Sequence, residues 1–360
     1  MTLRERMLSV YRGQMPDRPA VGIYTRYLPR GGVERAARNL GLGVIAYMPL
    51  CTQMGPPWHM LPGFLSEVRE ASLTSHYRWE NSHLVERRVY ETQAGSVWAE
   101  IGQSVGTGSE HISSFYIKSI EDYAVMKRLV ENTVMASNAA LFEDTVRAIG
   151  GDGVVMGRMD RTPYQKLLLE LAGAERFLTD LYDEPEPVEE LMDTLAKRYR
   201  EQVDRAMDSS VELIWIPDNV TVDMTPPAFY EKYLLELYRY CVTCAHQVGK
   251  TVVAHYDGKV APLVPLIRQT GVDVIESVSQ PSIGGDLTYV QWIKNFPEKV
   301  ILPNFPSNLC SASDAEIERC VREYLEAAQG RPFMLQISED LADGTWDRII
   351  PLVTEAMTQA

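Results

Sequence analysis

Short apolar runs alternate with amphipathic stretches along most of this chain, and no other feature limits its fold so tightly. The runs are Arg18–Tyr24, Gly43–Tyr47, Gly153–Met156, Glu212–Ile216, Lys250–Ala254, Val272–Glu276, Lys299–Leu302 and Pro332–Ile337. Several are apolar at nearly every position rather than at every second one, the pattern of strands covered on both faces. Helix-period stretches separate them: Val33–Asn39, Pro163–Tyr182, Pro187–Asp208, Pro227–Gln247, Val260–Thr270, Thr288–Asn295, Asp314–Ala328 and Trp346–Thr358, with Leu3–Arg12 ahead of the first run. Strand and helix in strict turn require a parallel sheet with helices on its outer face. Eight such units in 360 residues predict a closed (β/α)8 TIM barrel. An open doubly wound sheet is the other option, but no Gly-x-Gly-x-x-Gly phosphate loop follows any of the runs.

From Gly55 to about Lys118 the character changes. His83–Tyr90 and Ser96–Ile101 alternate polar with apolar residues across Ala94-Gly95, which predicts an antiparallel hairpin. No linker-like composition flanks this stretch, so it reads as an insertion near the amino-terminal side of a single domain spanning 1–360. A formal net charge of −14 argues against nucleic acid and anionic membrane surfaces, which attract basic patches. No run reaches the roughly 18 apolar residues of a membrane span, and the first residues mix charges without an apolar signal core, so a cytoplasmic location is expected. Five scattered cysteines give no disulfide framework, and Cys241 and Cys244 lie within a helical pattern where packing is the simpler role.

In a barrel of this kind the chemistry gathers at the carboxyl ends of the strands. Those ends supply Arg26 and Tyr27, Met48, Arg158 and Asp160, Asp218 and Asn219, His255 and Asp257, Glu276, Asn304, and Ser338, Glu339 and Asp340. His255 and Asp257 are two apart at a strand end, so alternation turns both toward one pocket. Taken singly, each of these residues is more simply explained as a cap on the following helix, Asp218, Asp286 and Asp340 especially. Carboxylates gathered at one rim would repel each other, and a divalent cation would relieve that repulsion. One histidine with two carboxylates is an ordinary zinc ligand set with an open position.

Pro163-Tyr164, Gly173–Pro185, Pro217-Asp218-Asn219, Thr225–Tyr233 and Gly249–His255 together resemble the uroporphyrinogen decarboxylase superfamily, most clearly from Pro163 to Pro306. The resemblance implies a (β/α)8 barrel. Two branches are relevant. The tetrapyrrole decarboxylases carry an arginine-rich amino-terminal motif, of which Thr25-Arg26-Tyr27-Leu28-Pro29 keeps only the tail, and an aspartate motif where this chain has Tyr47-Met48-Pro49. The cobalamin-dependent methyltransferases carry a zinc-binding His-x-Cys after the fifth strand and a further Cys after the eighth. Here His255 holds the first position, Asp257 replaces the first Cys, and Glu339 falls about where the second would stand.

Exchanging thiolates for carboxylates makes a harder, more strongly Lewis-acidic site, suited to an oxygen-bound methyl group such as an aromatic methyl ether. The resemblance therefore implies zinc held by His255, Asp257 and Glu339, with Glu276 as the substitute ligand. It implies a corrinoid carried on a separate protein, since the chain lacks an Asp-x-His-x-x-Gly corrinoid motif. Asp218 and Asn219 would orient substrate or a proton, while Arg26, Tyr27, Tyr256 and Asn304 would shape a small-molecule pocket. A homodimer is the expected assembly. A tetrapyrrole decarboxylase and a non-catalytic corrinoid- or porphyrin-binding barrel are the alternative readings.

Overall fold

A computed structural model describes residues 1–51, 67–80, 83–104 and 110–359. Gly55, the expected start of the insertion, lies outside these. The described strands are β1 (Ala20–Tyr24), β2 (Gly43–Pro49), β3 (Ala71–Glu80), β4 (His83–Thr92), β5 (Gly95–Ser104), β6 (Glu110–Ser114), β7 (Gly153–Arg158), β8 (Leu213–Ile216), β9 (Thr251–His255), β10 (Val274–Val278), β11 (Val300–Pro303) and β12 (Met334–Ile337). The chain gathers into two compact units, one built from Met1–Met48, Ala139–Arg158 and the residues from Ala206 onward, the other from Pro49–Asn138 and Met159–Arg205.

The first unit is the predicted barrel. Its sheet runs β11-β10-β9-β8-β7-β2-β1-β12, with parallel pairing at each register the strands share. A parallel bridge between Asn304 and Gln336, with Phe305 N–H donating to Gln336 O at 2.7 Å, joins the two ends and closes the ring. All eight apolar runs are strands, and seven of the eight are buried at every position or at every position but one or two ends.

The barrel interior is filled from below by the first helix, Leu3–Tyr11, which Thr2 and Glu5 start with reciprocal capping hydrogen bonds. Its Met7, Val10 and Tyr11 pack in one cluster with Ile45, Met156, Leu213, Val253, Val274 and Leu302 from the strands. Gly43 makes room for this plug, since a Cβ there would stand 2.3 Å from Met7 Sδ. Gly153 serves a similar end, because its missing Cβ would lie 1.9 Å from the Val44 carbonyl oxygen. Apolar filling below leaves the strand carboxyl ends as the polar end of the interior.

The second unit contains an antiparallel sheet in the order β3-β4-β5-β6. The predicted hairpin is its centre: β4 and β5 pair from His83↔Ser104 to Thr92↔Gly95. Strands β3 and β6 extend it on either side. Nearly all of β3 is exposed, so it lacks the apolar alternation that would have announced it. This unit also holds a buried ionic network. Lys166 Nζ lies 2.7 Å from Asp160 Oδ1 and 3.0 Å from Glu170 Oε2, and Arg161 Nε lies 3.0 Å from Glu170 Oε1. Burial opposes the ammonium charge of Lys166, but the two carboxylates outweigh it and raise its pKa.

Candidate active site at the barrel mouth

Glu276 is the anchor of the site. Strand β10 continues past it to Val278, so its side chain lies inside the barrel and is fully buried. Three donors converge on its carboxylate: Tyr24 Oη at 2.6 Å on Oε2, and Trp215 Nε1 at 2.8 Å and His255 Nδ1 at 2.7 Å on Oε1. His255 is its register partner on the neighbouring strand β9, which places the two side chains side by side. A buried carboxylate needs such partners, because an unpaired one is costly to remove from water. Glu276 therefore stands behind the histidine, oriented by other side chains, and is not placed as the substitute metal ligand that its position in the sequence had implied.

With Nδ1 occupied by Glu276, His255 Nε2 points outward and meets Asp257 Oδ2 at 3.3 Å. Burial alone would lower the pKa of His255, but Asp257 and then Glu276 overcome it and push it up to about 10. Asn219, exposed at the end of the preceding strand, donates from Nδ2 to the same Asp257 oxygen at 3.3 Å. Glu339, after β12, carries a raised pKa because of its burial and the charge of Asp257, opposed by the charge of His255. His255 and Asp257 thus meet at the barrel mouth, and Glu339 lies near enough to feel the charge of both.

In kind, this donor set suits a divalent cation: one imidazole nitrogen turned outward by a buried carboxylate, and two further carboxylates. Among the described residues, no group of three or more His, Cys, Asp or Glu side chains is drawn close enough to hold an ion.

Two sides of the mouth differ in chemistry. The first, second and fourth barrel strands supply an aromatic wall. Tyr24 contacts Tyr27, Tyr47 and Trp215 at ring-centroid distances of 6.3, 5.4 and 6.0 Å, and Trp215 approaches Tyr47 to 4.7 Å and His255 to 5.9 Å. Tyr27 and Tyr47 remain only partly buried and form its accessible edge. Burial pushes the Tyr27 hydroxyl up to about 12, and the Arg26 guanidinium lies 5.3 Å from its ring centre. The sixth, seventh and eighth strands supply polar groups: Ser279 donates to Glu339 at 3.4 Å, and Asn304 accepts from Ser338 N–H at 3.0 Å and Ser338 Oγ at 2.9 Å. Ser277, between Glu276 and Val278, takes a left-handed backbone (φ 59°) at a bulge in β10 and bonds Ser338 Oγ at 2.7 Å. A non-glycine residue pays conformational energy for that backbone, a device that recurs where a site must be aimed.

Two expected site residues lie elsewhere. Tyr256 sits between His255 and Asp257, so strand alternation turns it the opposite way. It is fully buried, with its hydroxyl 2.5 Å from that of Tyr230. Asp218 is also fully buried and accepts from Tyr238 Oη at 3.1 Å, within the same tyrosine cluster. Asp286, expected to cap its own helix, instead accepts from Val260 and Ala261 N–H. Sequence reading had missed Tyr24 and Trp215, whose aromatic character inside apolar strands reads as core. Their inward parity with the strand ends was the available signal.

A family model described as uroporphyrinogen decarboxylase (URO-D) matches residues 166–345, half of the chain. The chain belongs to the uroporphyrinogen decarboxylase family. The matched span carries His255, Asp257, Glu276, Asn304 and Glu339. Among solved structures, a methyltransferase from Methanosarcina mazei is 15% identical, with 99% of this chain and 98% of that one covered at a TM-score of 0.56. That likeness is one of fold and runs over nearly the whole chain. An enzyme of the mandelate racemase/muconate-lactonizing type from Roseovarius nubinhibens is 10% identical, with 79% of this chain and 74% of that one covered, at a TM-score of only 0.27. No curated protein sequence matches the chain. Among the described residues, no helix is long and apolar enough to cross a membrane.

Proposed function

We propose that this URO-D-family barrel is a methyltransferase that moves a methyl group between a small O-methylated aromatic compound and a corrinoid carried by a separate protein. The observation that supports this reading is His255 bonded at Nδ1 to buried Glu276 and at Nε2 to Asp257, beside an aromatic wall. The fold shared with the Methanosarcina mazei methyltransferase supports it. Tyr27 and Tyr47 offer ring faces to a flat substrate. Glu276 fixes the histidine through Nδ1 and leaves Nε2 toward Asp257, which Asn219 steadies. In the transfer the methyl C–O bond would break with its electron pair left on the oxygen, while the reduced corrinoid of the partner protein would use its own electron pair to form the new bond to the methyl carbon. A divalent cation such as zinc, held by His255 Nε2, Asp257 and Glu339, would draw charge from the departing oxygen.

A tetrapyrrole decarboxylase is the weaker reading, because Asp257 and Glu339 would repel the acidic side arms of such a substrate. Transfer from 2-methoxyphenol to reduced cobalamin, followed in the visible spectrum, tests the proposal. His255→Ala should cut the rate by about 10²–10⁴-fold while the circular dichroism is kept. Zinc should raise the unfolding temperature of chelator-treated wild type and not that of the variant. Undiminished transfer by His255→Ala ends the assignment.

A further inference from the structure

Strand β3 is ten residues long and stands at the edge of the antiparallel sheet. It pairs with β4 without a bulge from Ala71↔Thr92 to Glu80↔His83, and among the described residues nothing pairs with its other edge. Residues opposite one another in such a pair share a face of the sheet. Leu73, Ser75 and Tyr77 therefore share the face of Tyr90, Arg88 and Glu86, whose partners on β5 are Val97, Ala99 and Ile101. That face is buried at β4 and β5 but bare at β3, where Leu73, Tyr77 and Trp79 are 44, 63 and 68% exposed. The other face of the strand suits water, since Arg78 pairs with Glu80 and Glu100 at 3.0 Å each. A long open edge is a template for a further strand, and proteins that avoid such pairing place lysine, proline or a bulge there. Strand β3 has none of these.

We infer that β3 pairs with β3 of a second copy of this chain, antiparallel about Ser75, so that two sheets of four strands become one of eight. The order of side chains carries the choice of partner. On the bare face they run from small to large, Ala71 and Leu73 before Ser75, Tyr77 and Trp79 after it. A copy turned about Ser75 sets Trp79 against Ala71 and Tyr77 against Leu73, and the twofold axis repeats both matches. Aromatic and aliphatic pairs of this kind are the stabilising unit of a sheet. Charge allows the same register. The chain carries a formal net charge of −14, so two copies repel wherever charge is not cancelled locally. Here Arg78 falls opposite Ser72 and His76 opposite Thr74. At the two ends Glu80 meets Glu70, each already held by an arginine, Arg78 at 3.0 Å and Arg128 at 2.6 Å. The homodimer expected from the sequence thereby gains an interface.

Sedimentation equilibrium of the purified chain from about 1 to 100 μM tests this. The mass should rise from one chain to two across that range. Tyr77→Glu, at an exposed position, should weaken the association at least about tenfold and leave the circular dichroism unchanged. Cysteine variants read the register. Ser75→Cys sets two thiols at the twofold axis, where opposed Cα atoms lie about 4.5–5.5 Å apart and a disulfide fits. Mild oxidation should link two copies of it. Ser72→Cys, on the other face and far from its counterpart, should stay unlinked, as should wild type with its five native cysteines. A wild-type mass of one chain throughout leaves the edge to an extended segment of another protein and overturns the inference. A dimer that Tyr77→Glu does not weaken overturns it too, as does Ser72→Cys linking as readily as Ser75→Cys. If Tyr77→Glu does not fold, the cysteine variants decide.

Discussion

Lys166 and His255 are both buried basic side chains set between two carboxylates, one in each unit of the chain, and the comparison separates structure from chemistry. Around Lys166, two cations face two anions: Asp160 and Glu170 are matched by Lys166 and Arg161, and all four side chains are at most 12% exposed. Every charge is answered within the network. Around His255 the setting differs. Asp257 and Glu276 both contact one imidazole, and Asp257 keeps a quarter of its side chain open to solvent. A sealed network holds a fold in place, whereas one that opens onto solvent can exchange a contact for a guest.

The contrast can be broken by experiment. The largest effect is expected from Lys166→Met, which strands two buried carboxylates and should lower stability by about 3–5 kcal/mol in urea unfolding. A loss comparable to that from His255→Ala would erase the distinction. Next, Glu276→Gln keeps the shape but weakens three hydrogen bonds. Zinc affinity or transfer rate should fall about 10–100-fold, while Lys166→Met, where it folds, should leave zinc affinity alone. The smallest effect concerns pH. The folded pKa of His255 is raised from 6.5 to about 10, so its contribution to stability is complete below the unfolded value and is lost as pH rises through about 10. Chelator-treated wild type should therefore lose stability across that interval more steeply than His255→Gln, measured by denaturant midpoints at each pH. Parallel curves would show that the imidazolium carries no such linkage.

How much of this was legible in the sequence varied with physical cause. The eight barrel strands were readable because burial on both faces forces continuous apolar runs. The pairing of His255 with Asp257 followed from period-two alternation, and the same rule, applied to Tyr256, would have placed it outside the pocket. The three donors on Glu276 were not legible, because β10 runs two residues farther than its apolar pattern, past a left-handed Ser277 that no local sequence signal requires. Asp218 gave no warning that Tyr238, twenty residues on, would claim it. Strands β3 and β6 were invisible for the opposite reason: an exposed sheet edge need not be apolar at all.

The convergence on Glu276 has one more consequence. The indole N–H of Trp215 ends on the same oxygen that holds His255 Nδ1. A guest taken up by the outer nitrogen of that ring is therefore expected to disturb the indole through the shared acceptor, which a change in Trp215 emission would register.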